Sequence, residues 1–343
     1  MFSNSLSVII LAAGKGTRMK SQKAKVLHEV FHAPMVHHVL DSVLPLQPGN
    51  TVVVIGHQKA AVKTALSEYD IVCAVQENQL GTGHAVLAAE PHIPKECESV
   101  MILCGDTPLI KTKTLEDMYD LHRKHDSGLT LMTTLLENPT NYGRVLCTDK
   151  GHVTGIVEQK DASDEQLAIK EINAGIYCVD KIFLFNALQK VGTDNSQGEV
   201  YLTDIVALAV ESGVKVQKFM TETPVDVLGV NSRIELADAH HQLQQRRNRE
   251  LMLLGVTMHN PDTISVSPDS FLGQDTLLEP GVDISGSSSI GNSCSIGQGA
   301  IIKNCNVGAG VTVGAYSYLV DKTIEPGVSL APYSRSSDAS TNI

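Results

Sequence analysis

The sequence predicts an α/β protein: a Rossmann-like domain built on a mostly parallel sheet, followed by a short parallel β-helix. Two periods carry this. Over residues 5–110, short β-branched apolar runs alternate with helical patterns, which implies a sheet of parallel strands covered by helices. From Leu272 onward, bulky aliphatics recur every six residues, the spacing of a hexapeptide β-helix.

In chain order, SVIILAAG, TVVVIG, DIVCAV and SVMILCGD read as strands, and their unbroken apolar character fits burial on both faces. Helical patterns lie between them at residues 35–44, 58–66 and 82–90. Residues 111–230 continue with mixed elements. LTLMTTLLE, RVLCTDKGHVTGIVE and AGIYCV read as strands, with a hairpin turn at Asp149, Lys150 and Gly151. Residues 231–254 read as one long helix, with Asn231 as the expected N-cap and Gly255 as the stop. The first domain is thus placed at 1–230, with a linker helix and connection at 231–262.

The repeats occupy 263–332. Leu272, Leu278, Ile284, Ile290, Ile296 and Ile302 keep the period, which slips by one residue and resumes at Val307, Val313 and Leu319. Each aliphatic is expected to point inward and stack on its counterpart one coil away, with neighbouring Gly, Asn and Asp turning the corners. At about three hexads per coil the region makes roughly three to four coils. Residues 333–343 read as a polar tail.

Composition narrows the function. The chain has 343 residues, 42% of them hydrophobic, and a formal charge of −11. The acidic balance argues against nucleic acid or an anionic membrane as partner, since both need basic surfaces. No apolar run approaches the ~20 residues of a membrane span. The N-terminus lacks the charged region and cleavage site of a signal peptide, so a cytoplasmic protein is expected. The seven cysteines form no C-x-x-C pair and read as buried, reduced thiols. The thirteen histidines show no H-E-x-x-H spacing, so zinc has no support.

Against this acidic background, LAAGKGTRMKSQKAKVLH (residues 11–28) gathers Lys15, Arg18, Lys20, Lys23 and Lys25 directly after the first strand. It is not a Walker A loop, and the dinucleotide fingerprint fails at Met19. Lys20 and Lys23 read as a solvated face. Gly14, Gly16, Arg18 and Lys25 form a more specific set: glycines that let backbone N–H groups approach an anion, and two mobile cationic arms.

A-A-G-K-G-T-R-M with the downstream K-V-L-H resembles the signature of the sugar-nucleotide pyrophosphorylases, most closely the bacterial N-acetylglucosamine-1-phosphate uridyltransferases. The resemblance extends through Q-E-N-Q-L-G-T-G-H-A at residues 76–85, C-G-D-T-P-L-I around Asp106, and Y-G-R at 142–144. It continues in V-E-Q-K-D-A at 157–162, I-N-A-G-I at 172–176, Y-L-T-D-I at 201–205, G-V-N-S-R at 229–233, and the hexapeptide region. One departure is Ala24, where the family usually has proline; this is expected to loosen the loop. The resemblance implies a Rossmann-like nucleotidyltransferase domain, a left-handed β-helix, and a Mg²⁺-dependent reaction of UTP with N-acetylglucosamine 1-phosphate that releases pyrophosphate. It implies Arg18 and Lys25 as catalytic cations and Leu11, Ala12, Ala13, Gly14, Gly16, Gln76, Gly81 and Thr82 around the nucleotide. Gly143, Glu158, Asn173 and Tyr201 are implied for the sugar, and Asp106 and Asn231 for the metal.

Several of these roles have a plainer rival, and Glu158 could be a solvent-facing strand end. Asp106 could open a turn before Pro108, Asn231 could be only a helix cap, and Gly81 and Thr82 could merely start a helix. Thr203 and Asp204 read as a helix cap rather than a catalytic pair. A pyrophosphorylase for another sugar 1-phosphate, an acyltransferase using the solenoid, and a catalytically silent assembly subunit stay open. In the resembling family the β-helix carries an acetyltransferase site in later coils, with a histidine base. Here the hexads fade near Leu330 and the last histidine is His259. The expectation is therefore no acetyl transfer; the resemblance implies a solenoid that serves assembly as a homotrimer, since solenoids of the family pack around a three-fold axis and an exposed apolar flank needs covering.

Overall fold

The computed structural model describes residues 5–336. It divides into two compact units: residues up to His28 with Ala33–Glu235, and Glu29–His32 with the chain from Leu236 on.

The first unit is built on a sheet whose main strands run in the spatial order Val216–Met220, Leu129–Leu135, Glu171–Asp180, Ser99–Cys104, Leu6–Ala12, Asn50–Ile55 and Val72–Val75. All neighbours are parallel except around Glu171–Asp180, which runs antiparallel to both strands beside it. Val8, Ile9 and Ile10 are wholly buried, as a strand flanked by two others and covered on both faces requires. Helices Met35–Val43, Lys59–Ala65, Thr82–Ala89, Thr112–Lys124, Lys181–Leu188 and Asp204–Glu211 belong to this unit. Strand Leu6–Ala12 pairs with the next main strand on one side and a later one on the other. The crevice beyond its carboxyl end is where such sheets bind ligands.

Arg144–Cys147 and Val153–Val157 form the expected hairpin and join the sheet through Arg144 opposite Ile172. Its turn closes through Gly151 N–H donating to Thr148 O at 2.8 Å, with Gly151 at φ +79°.

The long helix spans Arg233–Leu253. Its cap is Ser232, not Asn231. Ser232 Oγ accepts from Glu235 N–H at 3.2 Å, while the Glu235 carboxylate accepts from Ser232 N–H at 3.1 Å, a reciprocal capping box. Asn231 N–H donates to the same carboxylate, which leaves its side chain available. At the other end Gly255 sits at φ +98°, and Val256 N–H donates to Leu251 O.

In the second unit the helix packs on the first coil. Gln244 and Asn248 amides donate to Ile264 O at 2.6 and 2.8 Å, and Leu251 joins the solenoid core. The solenoid is a left-handed parallel β-helix of three sheets with five, four and four strands. The predicted aliphatics, joined by Val266, Ile324 and Leu330, stack in register along each face: Val266, Ile284, Ile302 and Leu319; Leu272, Ile290, Val307 and Ile324; Leu278, Ile296, Val313 and Leu330. The slip in the hexads is a shortened corner: Asn304 at φ +50° turns between Ile302 and Val307 with one residue fewer than the corner after Ile284.

The glycines that follow inward aliphatics do not turn corners, contrary to the expectation. A Cβ on Gly291 would lie 2.6 Å from Ala309 N of the adjacent coil, so these glycines permit close backbone approach. The expected polar tail begins late, because Ser336 N–H still donates to Tyr318 O and Arg335 bridges Tyr318. Residues 337–343 of that tail lie outside the described residues.

All seven cysteines are free thiols; Cys97, Cys178, Cys294 and Cys305 are buried, but Cys147 is exposed. Among the described residues no helix is long and apolar enough to cross a membrane.

Candidate active site

The first strand ends at Ala12 and the chain turns through Gly14 and Gly16 before two short 3₁₀ turns, Thr17–Met19 and Lys25–Leu27. Gly16 is left-handed at φ +61°, and a Cβ there would sit 2.6 Å from the Lys25 Cβ. Glycine is therefore needed twice over, for the turn and for Lys25 to cross it. The turn opens on a cleft of about 570 Å³, a size suited to a small-molecule ligand. Its lining includes every residue expected around the nucleotide, together with Arg18, Lys25, Asp106 and Asn231.

Asp106 follows the strand Ser99–Cys104, and its carbonyl accepts from Val230 N–H at 2.8 Å, which brings Asn231 alongside. Asn231 Nδ2 donates to Gly229 O at 2.9 Å, so the oxygen end of the amide faces the cleft. Lys25 Nζ donates to Asp106 Oδ2 and, at 2.6 Å, to Asn231 Oδ1. The Arg18 guanidinium donates to the same Asn231 oxygen at 2.8 Å. Lys25 and Asp106 are largely buried. Two protein oxygens thus converge on one cationic nitrogen, with a second cation beside them.

That donor set fits a hard cation. Asp106 Oδ2 and Asn231 Oδ1 already share a positive charge, and Mg²⁺ takes one or two protein oxygens plus water and phosphate. Among the described residues no three His, Cys, Asp or Glu side chains group as a metal site, which a two-oxygen site does not need.

The departure at Ala24 has a local remedy. Ala24 N–H donates to Gln58 Oε1 at 2.9 Å, and Gln58 Nε2 donates to Gln22 O at 2.5 Å. Proline could not make the first bond. A side-chain clamp therefore holds the segment that was expected to be loose.

Gln76, 3% exposed, lies beyond the strand Val72–Val75, with Nε2 3.1 Å from Gly81 O and 3.0 Å from His84 Nδ1. Gly81 has φ +113°, and a Cβ there would lie 2.5 Å from Val200 O. Thr82 Oγ1 accepts from Leu202 N–H at 3.1 Å, tying the start of its helix to the 200–202 segment.

Gly143, Glu158 and Asn173 form a second cluster within this unit. Asn173 N–H donates to Gly143 O at 2.9 Å, and a Cβ on Gly143 would lie 3.6 Å from both Glu158 oxygens. Burial raises the Glu158 carboxyl above its usual range. Asn173 Nδ2 donates to the Tyr177 hydroxyl at 2.6 Å. Tyr201 is tied elsewhere, donating to Asp161 Oδ2 at 3.3 Å and accepting from Gln197 Nε2 at 2.8 Å. Thr203 occupies an N-cap position without capping; its hydroxyl donates to Glu158 Oε1 at 3.2 Å instead.

Sequence reasoning missed Gln79 and Glu199 in the cleft, and Tyr142, which is near enough to feel the charges of Asp106 and Arg18. The Tyr142 phenol is pushed up to about 12, first by burial and then by the negative charges of Glu235 and Asp106. Gln79 and Tyr142 lie inside quoted motifs, which was the available signal; Glu199 carried none.

A mostly parallel sheet whose central strand feeds a cationic glycine turn and a nucleotide-sized cleft belongs to a nucleotidyltransferase. The MobA-like NTP transferase domain matches residues 8–159. Relatives span both units. A bifunctional protein GlmU from Desulfotalea psychrophila is 55% identical over 321 residues, covering 94% of this chain and 95% of its own length. One from Pelobacter propionicus is 43% identical over 328 residues, 95% of this chain and 71% of that protein. Another, from Geobacter metallireducens, is 46% identical over 299 residues, 87% of this chain and 63% of that protein. The chain belongs to the GlmU family.

Proposed function

We propose that the protein transfers a uridylyl group from UTP to N-acetylglucosamine 1-phosphate, in a Mg²⁺-dependent reaction that yields UDP-N-acetylglucosamine and pyrophosphate. The observation that carries this reading is the convergence of Lys25 and Arg18 on the oxygens of Asp106 and Asn231 beside the glycine turn. Substrate phosphates draw both cations, and the amides of residues 11–16 hold phosphate oxygens. Asp106 and Asn231 would then hold Mg²⁺, which when bound supplies positive charge to the phosphates of both substrates. A phosphate oxygen of the sugar attacks the α-phosphorus in line, and the bond to the β-phosphate bridging oxygen breaks. Arg18 and Lys25 stabilise the charge on the departing pyrophosphate. The attacking oxygen is already anionic, so positioning replaces a general base.

In this reading Gln76, Gly81 and Thr82 read the uracil. Gly143, Glu158 and Asn173 serve the sugar and its N-acetyl group. Residues 1–230, together with Asn231 just beyond them, carry the chemistry in the cytoplasm, and the solenoid from 263 serves assembly as a homotrimer. Neither nucleic acid nor membrane is a partner. We further propose that the chain does not transfer acetyl groups, because residues 260–343 contain no histidine to act as base. The name of the Desulfotalea relative, called bifunctional although this chain covers 95% of it, favours the opposite reading. CoA release from acetyl-CoA with glucosamine 1-phosphate separates them: release above background establishes acetyl transfer.

The main test is pyrophosphate release by purified protein. Release that requires UTP, N-acetylglucosamine 1-phosphate and Mg²⁺ together is expected. No release, or equal release with another sugar 1-phosphate, contradicts the reading.

A further inference from the structure

Gln76 is a buried amide, and an amide can present either its donor or its acceptor to a ligand. Which end faces the cleft decides which base is accepted, so the groups behind it matter. Gly81 O is 3.1 Å from Gln76 Nε2, and a carbonyl only accepts. The atom facing it must therefore be the amide nitrogen, which fixes the orientation of the amide. The second N–H of that nitrogen meets His84 Nδ1 at 3.0 Å. For this bond to form, Nδ1 must carry a lone pair and the ring proton must sit on Nε2. Both amide hydrogens are then spent on the protein. Among the described residues no protein group donates to Gln76 Oε1, and Gln76 lines the cleft.

We infer that His84 is a specificity-determining positioning residue: by accepting the second Gln76 N–H, it leaves the pocket an acceptor and no donor at that point. An acceptor pairs with the N3–H of an imide base, uracil or thymine. It repels the N3 lone pair of cytosine. The inference rests on Gln76 being the base reader, as proposed above. His84 lies in the first turn of the helix Thr82–Ala89, and the cleft lining takes in Gln76, Thr82 and Ala85 but not His84, so it acts through Gln76 rather than on the substrate.

The test compares wild type, His84→Leu and His84→Asn, with UTP and CTP each at saturating sugar 1-phosphate and Mg²⁺. Leucine removes the acceptor. Asparagine places a carbonyl oxygen near the position of Nδ1. His84→Leu should lower the UTP-over-CTP ratio of kcat/KM by about tenfold, through a raised KM for UTP with kcat within about threefold. His84→Asn should restore most of the ratio, which a merely structural role would not predict. A ratio in His84→Leu within twofold of wild type overturns the inference, as does His84→Asn behaving like leucine. Wild type that turns over UTP and CTP alike removes the base-reading assignment and this inference with it. A readout independent of variant folding is the ¹⁵N spectrum of His84 in the wild-type protein. An unprotonated Nδ1 with a proton on Nε2 is expected, and a proton on Nδ1 overturns the inference.

Discussion

At the scale of single residues, Lys25 has two jobs that pull against each other. Its ammonium satisfies Asp106 and Asn231, and it is also the arm proposed for the triphosphate. Lys25→Ala should cost UTP turnover about 1.5–3 kcal/mol in kcat/KM, the worth of a charge-assisted contact. The same variant should bind Mg²⁺ more tightly without nucleotide, because the competing cation is gone. Calorimetric Mg²⁺ titration and steady-state kinetics check the two halves; unchanged values in both, with the fold intact, refute the assignment. Asp106→Asn should shift the Mg²⁺ activation curve to higher concentration, and superimposable curves would make Asp106 purely structural. Much of this site was legible because Gly14, Gly16, Arg18, Gln76 and Asp106 lie in short local motifs. What stayed hidden was long-range. Nothing local says that Gln58 clamps Ala24, or that the Thr203 hydroxyl leaves its helix for Glu158. Ser232 was a readable miss, since S-x-x-E is a capping box and frees Asn231 from that duty.

At the scale of elements, the helix Thr112–Lys124 is held to the strand Leu129–Leu135 through His122, whose Nδ1 lies 2.9 Å from Thr130 Oγ1. Burial lowers the His122 imidazole from 6.5 to about 4. Above pH 6.5 it is neutral in both folded and unfolded chains, and its contribution is fully present. Below that the unfolded chain takes up the proton first, so stability falls as pH drops towards 4. The loss is on the order of 3 kcal/mol. Denaturant melts between pH 7 and 4 should show this limb, and His122→Gln should flatten it; identical limbs would contradict the burial argument. The strands and helices of the parallel core were readable from period alone. The antiparallel course of Glu171–Asp180 was not, since side-chain alternation is the same in either direction.

At the scale of the whole molecule, the solenoid was the most legible part, because each coil repeats one packing problem. Its inward positions are filled at every level, so Ile284→Ala should cost about 2–5 kcal/mol. Its outward face keeps Phe271, Ile301 and Tyr318 exposed. The proposed trimer would cover apolar side chains of this kind. Sedimentation at micromolar concentration should give three times the chain mass, and a monomer would refute the trimer. The central claim is a direct in-line transfer between two bound phosphates. Exchange of labelled pyrophosphate into UTP measures it in reverse. Label should enter UTP only when UDP-N-acetylglucosamine and Mg²⁺ are present. Exchange from UTP alone would mean a covalent uridylyl-enzyme, and no exchange with the nucleotide sugar would mean that the cleft does not perform this chemistry.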